Sequence, residues 1–348
     1  MRRRKKQFQI NDLSFIEFDK TISDPKNITK YDNGEITTLL SRFRRCLMKV
    51  ENGEAFIRYL DNNNSNYYED GSPAILTGAD GDVMVYFPEY WYKYEKVDAN
   101  KFRYYISLSE IEDGIHLEAS LLGAYESYLT EYNTQYSRSG VVSTGNASSG
   151  SFVNSIAFID GYDVMDYNHH CTIAMMFYAK YLTRDSQSVL GTGVNSYSLQ
   201  NGSTNHLGNR DTDNATSTYV NFLGIEAAFG GKLEFLFGSG VYEGWEWKIS
   251  FPERSVYSAA RSDGWIKSMQ FKEGPYFDMI PTAVGGSNST YYCDYYTQGN
   301  SSYMPMRSYS GSDRRGGLAF INASTYVNSN YAPDRTCRLA FKGNIHVI

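Results

Sequence analysis

The alternation of apolar and polar residues predicts strands in the first third of the chain. It is clearest in GDVMVYFPEYWYKYEKV (81–97) and continues in NKFRYYISLS (100–109). Pro88 has no N–H group to donate, so it restricts strand pairing where it stands. HLEASLLGAYESYLTEY (116–132) is predicted as another strand, which ends in a tight turn at Gly123.

A repeat of three to four residues predicts two helices. ITTLLSRFRRCLMKV (36–50) carries an apolar stripe at roughly helical spacing. VMDYNHHCTIAMMFYAKYLT (164–183) is the clearest helix of the sequence, and either Asp166 or Asn168 can accept hydrogen bonds from its first turn.

Polar, turn-forming segments divide the rest of the chain. DNNNSNYYEDGSP (61–73) is a plausible boundary between a small N-terminal region, 1–75, and a larger domain, 76–348. Residues 184–218 form a long polar loop, and such loops are usually functional or held by their own contacts. Short strands with glycine-rich turns follow, and this mixture predicts an α+β fold.

Charge and hydropathy exclude several classes of protein. The formal net charge is −6 and 21% of the residues are charged, which does not favour a nucleic-acid-binding face. No apolar stretch approaches the ~20 residues of a membrane-spanning helix. The basic start, MRRRKKQFQIND, is not followed by the apolar segment of a cleaved secretion signal. We therefore expect a protein that does not insert into membranes.

The sequence contains no strong catalytic motif. His169 and His170 are neighbours on the predicted helix, so they point about 100° apart and cannot face one site. We expect one of them to be packed and the other exposed, and we predict no catalytic residue and no metal ligand. A structural Ca²⁺ remains open, because short acidic segments can hold one. The carboxylates concerned are Asp211, Asp213, Glu243 and Glu246.

The four cysteines predict neither a zinc ribbon nor a thioredoxin-like motif. Cys46, Cys171, Cys293 and Cys337 are far apart and form no CxxC pair. Buried free thiols are the simplest interpretation, and a bridge between Cys293 and Cys337 remains open.

Tyrosine is the most unusual part of the composition. The chain has 31 tyrosines, and eight of them lie from Tyr291 to Tyr331 among serines and asparagines. Tyr supplies rigid contact area, while Ser, Gly and Asn supply adaptable hydrogen bonds, as in antibody combining sites. The segment therefore indicates a binding surface, although polar surface loops of a β-rich protein have a similar composition.

Three segments resemble one family when taken in order. They are 161–193, VNFLGIEAAFGGKLEF (220–235) and GGLAFINASTYVNSNYAPDRTCRLAFKG (316–343). Together they resemble the C-type-lectin-fold variable proteins that diversity-generating retroelements diversify in phages and gut bacteria. The segment 81–96 is similar to one that precedes such domains in phage tail proteins.

The resemblance implies a C-type lectin fold of the formylglycine-generating-enzyme branch, in which GGLAF and CRLAF are strands that frame variable loops at about 290–343. Adenine-directed mutagenesis would place Asn, Ser, Tyr and Asp at the exposed positions of these loops. The predicted ligand-binding residues are Tyr295, Tyr296, Tyr303, Ser308, Tyr309, Ser310, Ser312, Asp313, Asn322, Ser324, Tyr326, Asn328, Asn330 and Tyr331.

The function that the resemblance implies is that of an adhesin or phage receptor-binding tail protein. Its expected partners are a bacterial cell-surface protein or glycan and, through residues 1–75, other virion tail proteins. We expect a homotrimer on a virion tail, or on a bacterial surface if the gene is chromosomal, with no cofactor and no nucleic acid. Two alternatives are a structural virion protein and a formylglycine-generating oxidase. The oxidase needs a close cysteine pair, and only Cys337 lies near the last strand. AAFGG (227–231) also replaces the aromatic pair that relatives often carry.

Overall fold

The computed structural model describes residues 12–194, 198–250, 255–270, 277, 279–309, 314–324 and 332–348. The first elements are β1 (Ser14–Asp19), β2 (Ile28–Tyr31), α1 (Glu35–Arg42), β3 (Arg44–Glu51), β4 (Glu54–Tyr59), β5 (Asp82–Phe87), β6 (Tyr90–Lys96), β7 (Lys101–Ser107), β8 (Ile115–Leu117), β9 (Ser120–Gly123), β10 (Tyr128–Leu129) and β11 (Gln135–Tyr136). The next are α2 (Ser149–Asn154), β12 (Tyr162–Val164), α3 (Tyr167–Tyr181), α4 (Ser186–Leu190), β13 (Asn221–Phe222), β14 (Ile225–Glu226), β15 (Leu233–Phe235), β16 (Ser239–Tyr242), β17 (Glu246–Ile249), β18 (Ser255–Ser258) and β19 (Gly264–Met269). The last are β20 (Pro281–Val284), β21 (Tyr295–Thr297), β22 (Met306–Arg307), β23 (Ile321–Asn322), β24 (Arg335–Thr336), β25 (Leu339–Phe341) and β26 (Ile345–Val347).

Three large sheets organise the chain. The N-terminal sheet has the strand order β2-β1-β7-β6-β8 and the central sheet the order β12-β25-β9-β5-β3-β4-β26. The C-terminal sheet has the order β20-β19-β21-β23-β22-β15-β24. A smaller sheet, β16-β17-β18, meets the connection between β21 and β22 through a bridge from Val241 to Tyr303.

The expected α+β fold of the C-type-lectin kind is wrong. The structure is mostly β: of the residues it describes, 13% are helical and 37% are in strands, in several antiparallel and mixed sheets. The expectation gave too much weight to two long helices. One of them, 36–50, is half strand.

The error lies at residues 36–50. Helix α1 ends at Arg42, and the following residues form β3, which pairs with both β4 and β5. The apolar run of Cys46, Leu47 and Met48 fits a helix and a buried strand equally well. Because β3 pairs along both of its edges and is buried in the sheet, these residues form a strand whatever their local propensity.

Residue 75 does not separate two independent sheets. Strands β3 and β4 lie in the central sheet beside β5, and β26 pairs with β4 in parallel. Strand β1 likewise pairs with β7 along its whole length. The first 60 described residues therefore contribute strands to the same sheets as the rest of the chain. This holds whatever partner the N-terminal region binds.

Helix α3 is confirmed, with Asp166 as its cap. The Asp166 carboxylate accepts from the backbone N–H of His169 at 3.0 Å, and Leu182 ends the helix with a φ of 55°. Nearly every side chain from Tyr167 to Ala179 is buried, because sheets and loops surround the helix. The expectation that one histidine is exposed is wrong: His169 is 5% exposed and His170 is 0% exposed. Of the helices among the described residues, none is long and apolar enough to span a membrane.

A buried ion-pair cluster joins the central and C-terminal sheets. Glu234 on β15 contacts Arg307 at 2.5 Å and Arg338 at 2.6 Å, and all three side chains are fully buried. Arg338 also donates to four backbone carbonyl groups, those of Gly123, Ala124, Glu226 and Ala227. Arg307 donates to Nδ1 of the buried His170 at 3.1 Å.

A second buried arginine holds the long polar loop. Arg45 on β3 donates to Thr204 at 2.9 Å, to Asn221 at 2.8 Å and to the carbonyl of Gly224 at 2.5 Å. Thr204 in turn donates to the Glu226 carboxylate at 2.7 Å, which balances the arginine charge through one hydroxyl. The loop predicted at 184–218 is described at 184–194, which includes α4, and at 198–218, where Thr204 is held by Arg45.

Asp82 makes stability depend on pH. Burial raises its pKa from 3.8 to about 6, although the backbone N–H of Ser137 donates to it at 2.8 Å. A carboxyl whose pKa is higher in the folded state favours folding while protonated, so its contribution is lost as pH rises from about 4 to about 6. Asp82→Asn should therefore gain about 2–3 kcal/mol in free energy of unfolding relative to the native chain across that interval.

Denaturant unfolding at pH 4, 5, 6 and 7 would measure this difference. Asp160→Asn, at an exposed position, is the matched control and should show no such change. A constant difference between Asp82→Asn and the native chain over the interval would contradict the assignment.

Candidate functional site

The predicted ligand loops are anchored on the C-terminal sheet. Strand β21 pairs in parallel with β23, through Tyr296 and Ile321, and β22 pairs antiparallel with β23, through Met306 and Asn322. The connections between these strands carry the Tyr, Ser and Asn residues singled out in the sequence. Because each of these strands is paired on both sides, the loops between them have defined ends.

A buried carboxylate shapes the base of these loops. Asp294 accepts from the backbone N–H of Ala319 at 2.8 Å and from Gln187 of α4 at 3.1 Å, and burial raises the pKa of Asp294 well above its ordinary value. Gly317 has a φ of 134°, and a Cβ there would lie 2.1 Å from the Asp294 carboxylate. GGLAF is a buried turn, and the expectation of a strand there is wrong. CRLAF does contribute β25, as expected.

Two of the predicted ligand residues are buried and cannot meet a ligand. Tyr296 lies in the middle of the sheet and Ser308 lies below the loop, and both side chains are 0% exposed. Tyr295, Tyr303, Tyr309 and Asn322 are half-buried, and Ser324 is exposed. Ser310, Ser312, Asp313, Tyr326, Asn328, Asn330 and Tyr331 lie outside the described residues.

Alternation along β21 explains the difference between its two tyrosines. Successive side chains of a strand point to opposite faces, so Tyr295 and Tyr296 cannot share an environment. The ring of Tyr295 meets Trp265 of β19 edge-on, with centroids 5.7 Å apart, and the guanidinium of Arg315 lies 4.7 Å from the Tyr295 ring centroid. Composition indicated the tyrosines but not which of them faces outward.

Trp245 extends this group of aromatic side chains. Its indole N–H donates to Gln298 at 2.7 Å, and Arg261 lies 5.1 Å from its ring centroid. Gln298 follows β21 directly, and its backbone N–H donates to Asp263, just before β19. Contacts therefore connect Trp245 to the strands that carry Trp265 and Tyr295. We call Trp245, Trp265, Tyr295, Arg261 and Arg315 the aromatic surface.

The backbone at Trp245 is strained. Its φ is 59°, in the left-handed region that bulky residues rarely adopt, and Gly244 before it has a φ of 81°. The Asn300 side chain accepts from the N–H of Gly244 at 2.7 Å and from that of Trp245 at 3.3 Å, which holds the turn. Strain of this kind concentrates at functional sites.

Sequence reasoning missed both tryptophans. The signal available was the repeated dipeptide Gly-Trp, at 244–245 and 264–265, which places a large aromatic next to a residue that tolerates tight turns. It was interpreted only as strand material. Both Trp245 and Trp265 are half-buried, so each presents part of its ring to solvent.

The geometry gives little support to a formylglycine-generating oxidase or to a Ca²⁺ site. All four cysteines are free and buried, and burial raises the thiol pKa of Cys293 and of Cys337 far above the ordinary range. Asp211, a possible Ca²⁺ ligand, instead accepts from Lys180 and Tyr181, each at 2.6 Å. Among the described residues, no group of three or more His, Cys, Asp or Glu side chains is placed to hold a metal ion.

The chain was compared with protein-family models and with curated proteins, and no match was found in either.

Proposed function

We propose that the protein binds a target on bacterial cells through the aromatic surface and the Tyr, Ser and Asn loops beside it. It would act as an adhesin or a phage receptor-binding tail protein, with a protein or glycan as its target. The observation that carries this proposal is the connected set of half-exposed aromatic and arginine side chains at the base of those loops. Trp, Tyr and Arg are the residues that most often dominate binding energy at interfaces.

The mode of binding would be rigid display. Trp265 and Tyr295 are directly opposite each other on paired strands, so they need little ordering when a ligand binds. Arg261 and Arg315 can stack on a ligand ring or donate to a carboxylate. The adjacent loops, which include the predicted positions outside the described residues, would provide the differences in specificity between variants of the protein.

Cell binding tests this proposal. Fluorescently labelled protein would be titrated on intact cells of a panel of bacterial strains and on arrayed bacterial surface glycans. We expect saturable binding to some of them and, in Trp245→Ala/Trp265→Ala, an affinity about 30–1,000-fold lower, because each of the two anchors contributes ~1–2 kcal/mol.

Tyr132→Ala is the matched control. Tyr132 is 83% exposed and lies in the turn between β10 and β11. Its removal should leave binding unchanged, and both variants should keep the melting temperature of the native protein within a few degrees. Equal binding by the native protein and the double tryptophan variant would exclude the aromatic surface as the binding site, and no saturable binding by either protein would favour a structural virion protein whose loops only face solvent.

Diversification has its own test. A neighbouring reverse transcriptase gene should be accompanied by a template repeat that matches the codons for about 290–343 except at adenines. If no such repeat lies near the gene, we expect the protein to be a receptor-binding protein of fixed specificity. Sedimentation of the intact protein would test the trimer that we expect for multivalent attachment.

A further inference from the structure

A cavity lies between the first turn of α3 and the strands β5 and β9. Its volume is about 330 Å³, which is within the range of small-molecule sites. Phe87, Tyr90 and Leu117 give it an apolar wall, and Ser120, His169 and Lys342 give it a polar one. It belongs neither to the aromatic surface nor to the loops discussed above.

Three polar side chains form a continuous hydrogen-bond chain on this cavity. The Nδ1 atom of His169 lies 2.7 Å from the Asp166 carboxylate, and Nε2 of the same ring lies 3.3 Å from Oγ of Ser120. Nδ1 also lies 3.3 Å from the backbone N–H of Asp166, but a carboxylate can only accept, so the shorter contact places the proton on Nδ1 and leaves the lone pair of Nε2 for the serine. The ring of Phe87 meets the imidazole edge-on at 5.2 Å between centroids, which fixes its plane.

Asp166 is well placed to remain ionised. Burial alone would raise its pKa, but the charge and hydrogen bond of His169 and the ammonium group of Lys342, at 2.8 Å, hold the pKa well below its ordinary value. Lys342 is itself held by Asp163 at 2.6 Å. The carboxylate can therefore orient the imidazole.

Helix capping explains only part of this arrangement. The backbone N–H of His169 donates to the Asp166 carboxylate as in a capping box, and the reciprocal contact, between the Asp166 N–H and Nδ1, is longer at 3.3 Å than the 2.7 Å contact of Nδ1 with the carboxylate. Capping therefore accounts for the proximity of the two residues. It does not require a serine on the far side of the imidazole, nor a cavity beside that serine. Ser120 comes from the start of β9, 49 residues away in the chain, where it is paired with Phe87.

We propose that Ser120, His169 and Asp166 form an acyl-transfer site for a small carboxylic ester. Oγ of Ser120 bonds to the carbonyl carbon of the ester while its proton passes to Nε2 of His169. The tetrahedral intermediate collapses, the bond to the alcohol oxygen breaks, and that oxygen takes the proton from Nε2. Water then attacks the acyl-serine in the same way, releasing the acid and restoring Ser120.

Asn168 can stabilise the negative oxygen of the intermediate. It lines the cavity, and its backbone N–H belongs to the first turn of α3, where helical N–H groups have no partner within the helix. Its side-chain amide can donate as well, and such donors supply much of the catalysis in acyl transfer. The apolar wall of Phe87, Tyr90 and Leu117 fits a short acyl chain.

Labelling with a fluorophosphonate tests the nucleophile. Ser120 would form an O–P bond, fluoride would leave, and His169 would take the proton. We expect one adduct per chain, mapped to Ser120 by peptide mass spectrometry, and hydrolysis of 4-nitrophenyl acetate that falls at least ~100-fold in Ser120→Ala. Ser289→Ala, at an exposed serine, should label and hydrolyse like the native protein.

His169→Gln tests the base, and adduct formation should slow at least ~100-fold. If this variant does not fold, the mapped adduct and the Ser120→Ala variant are sufficient to test the acyl-transfer proposal. Absence of an adduct, an adduct on another residue, or unchanged hydrolysis in Ser120→Ala would overturn the proposal. Cell binding by Ser120→Ala should remain intact, so the outcome is independent of the aromatic surface.

Discussion

Glu234→Gln is expected to lower the free energy of unfolding by about 3–5 kcal/mol. In the native protein one carboxylate neutralises two fully buried guanidinium groups, those of Arg307 and Arg338. The amide of glutamine has the same shape but carries no charge, and its NH₂ group would face an arginine donor. Both arginines would then be buried without a counter-ion in direct contact.

The loss should be visible as a lower midpoint of denaturant unfolding with an unchanged slope. Glu131→Gln provides the control, because Glu131 is exposed and the same chemical change should alter stability by less than about 0.5 kcal/mol. A similar small effect for Glu234→Gln would mean that the carbonyl groups around Arg338 alone keep it stable. In that case the cluster would not be the joint between the two sheets.

Arg45→Met should also lower the free energy of unfolding by about 3–5 kcal/mol. In addition, it should loosen the long polar loop locally. Methionine fills much of the space of arginine but donates nothing to Thr204, Asn221 or Gly224. Glu226 would remain buried without the positive charge that faces it across Thr204. The long polar loop would lose the group that holds it to β3.

Amide hydrogen exchange can separate the local effect from the global one. Exchange in residues 200–226 should accelerate more than exchange in β6 and β7, which have no contact with Arg45 through these bonds. Arg42→Met, at an exposed position in the last turn of α1, should change neither stability nor exchange. Uniform acceleration throughout the protein would indicate that the loop is an integral part of the global unfolding unit.

Local signals in the sequence were sufficient for some elements. Helix α3 was predictable because a capping aspartate precedes a long apolar segment, and β5, β6 and β7 because their side chains alternate. The strand β3 was not predictable, because three apolar residues in a row fit either structure. Only its neighbours β4 and β5, which lie elsewhere in the chain, decide between the two.

The candidate site was predictable as a region but not as a surface. Tyrosine content indicated residues 291–331, yet Tyr296 and Ser308 are buried because sheet pairing decides which side of a strand faces water. Trp245 depends on Asn300 for its position, and that contact joins residues from separate strands. The chain from Ser120 to Asp166 likewise depends on a sheet bringing β9 to a helix terminus.

The parallel pairing of β26 with β4 also constrains how the protein is made. Asn344 and Glu54 are hydrogen-bonded although 290 residues separate them, and β25 inserts between β9 and β12. During translation, β4 and β9 each keep one edge unpaired until almost the whole of this sequence has left the ribosome. Such distant contacts slow folding, and open edges invite association with other chains. We therefore expect production in cells to be sensitive to translation rate and to chaperone supply, more than the stability of the finished protein would suggest.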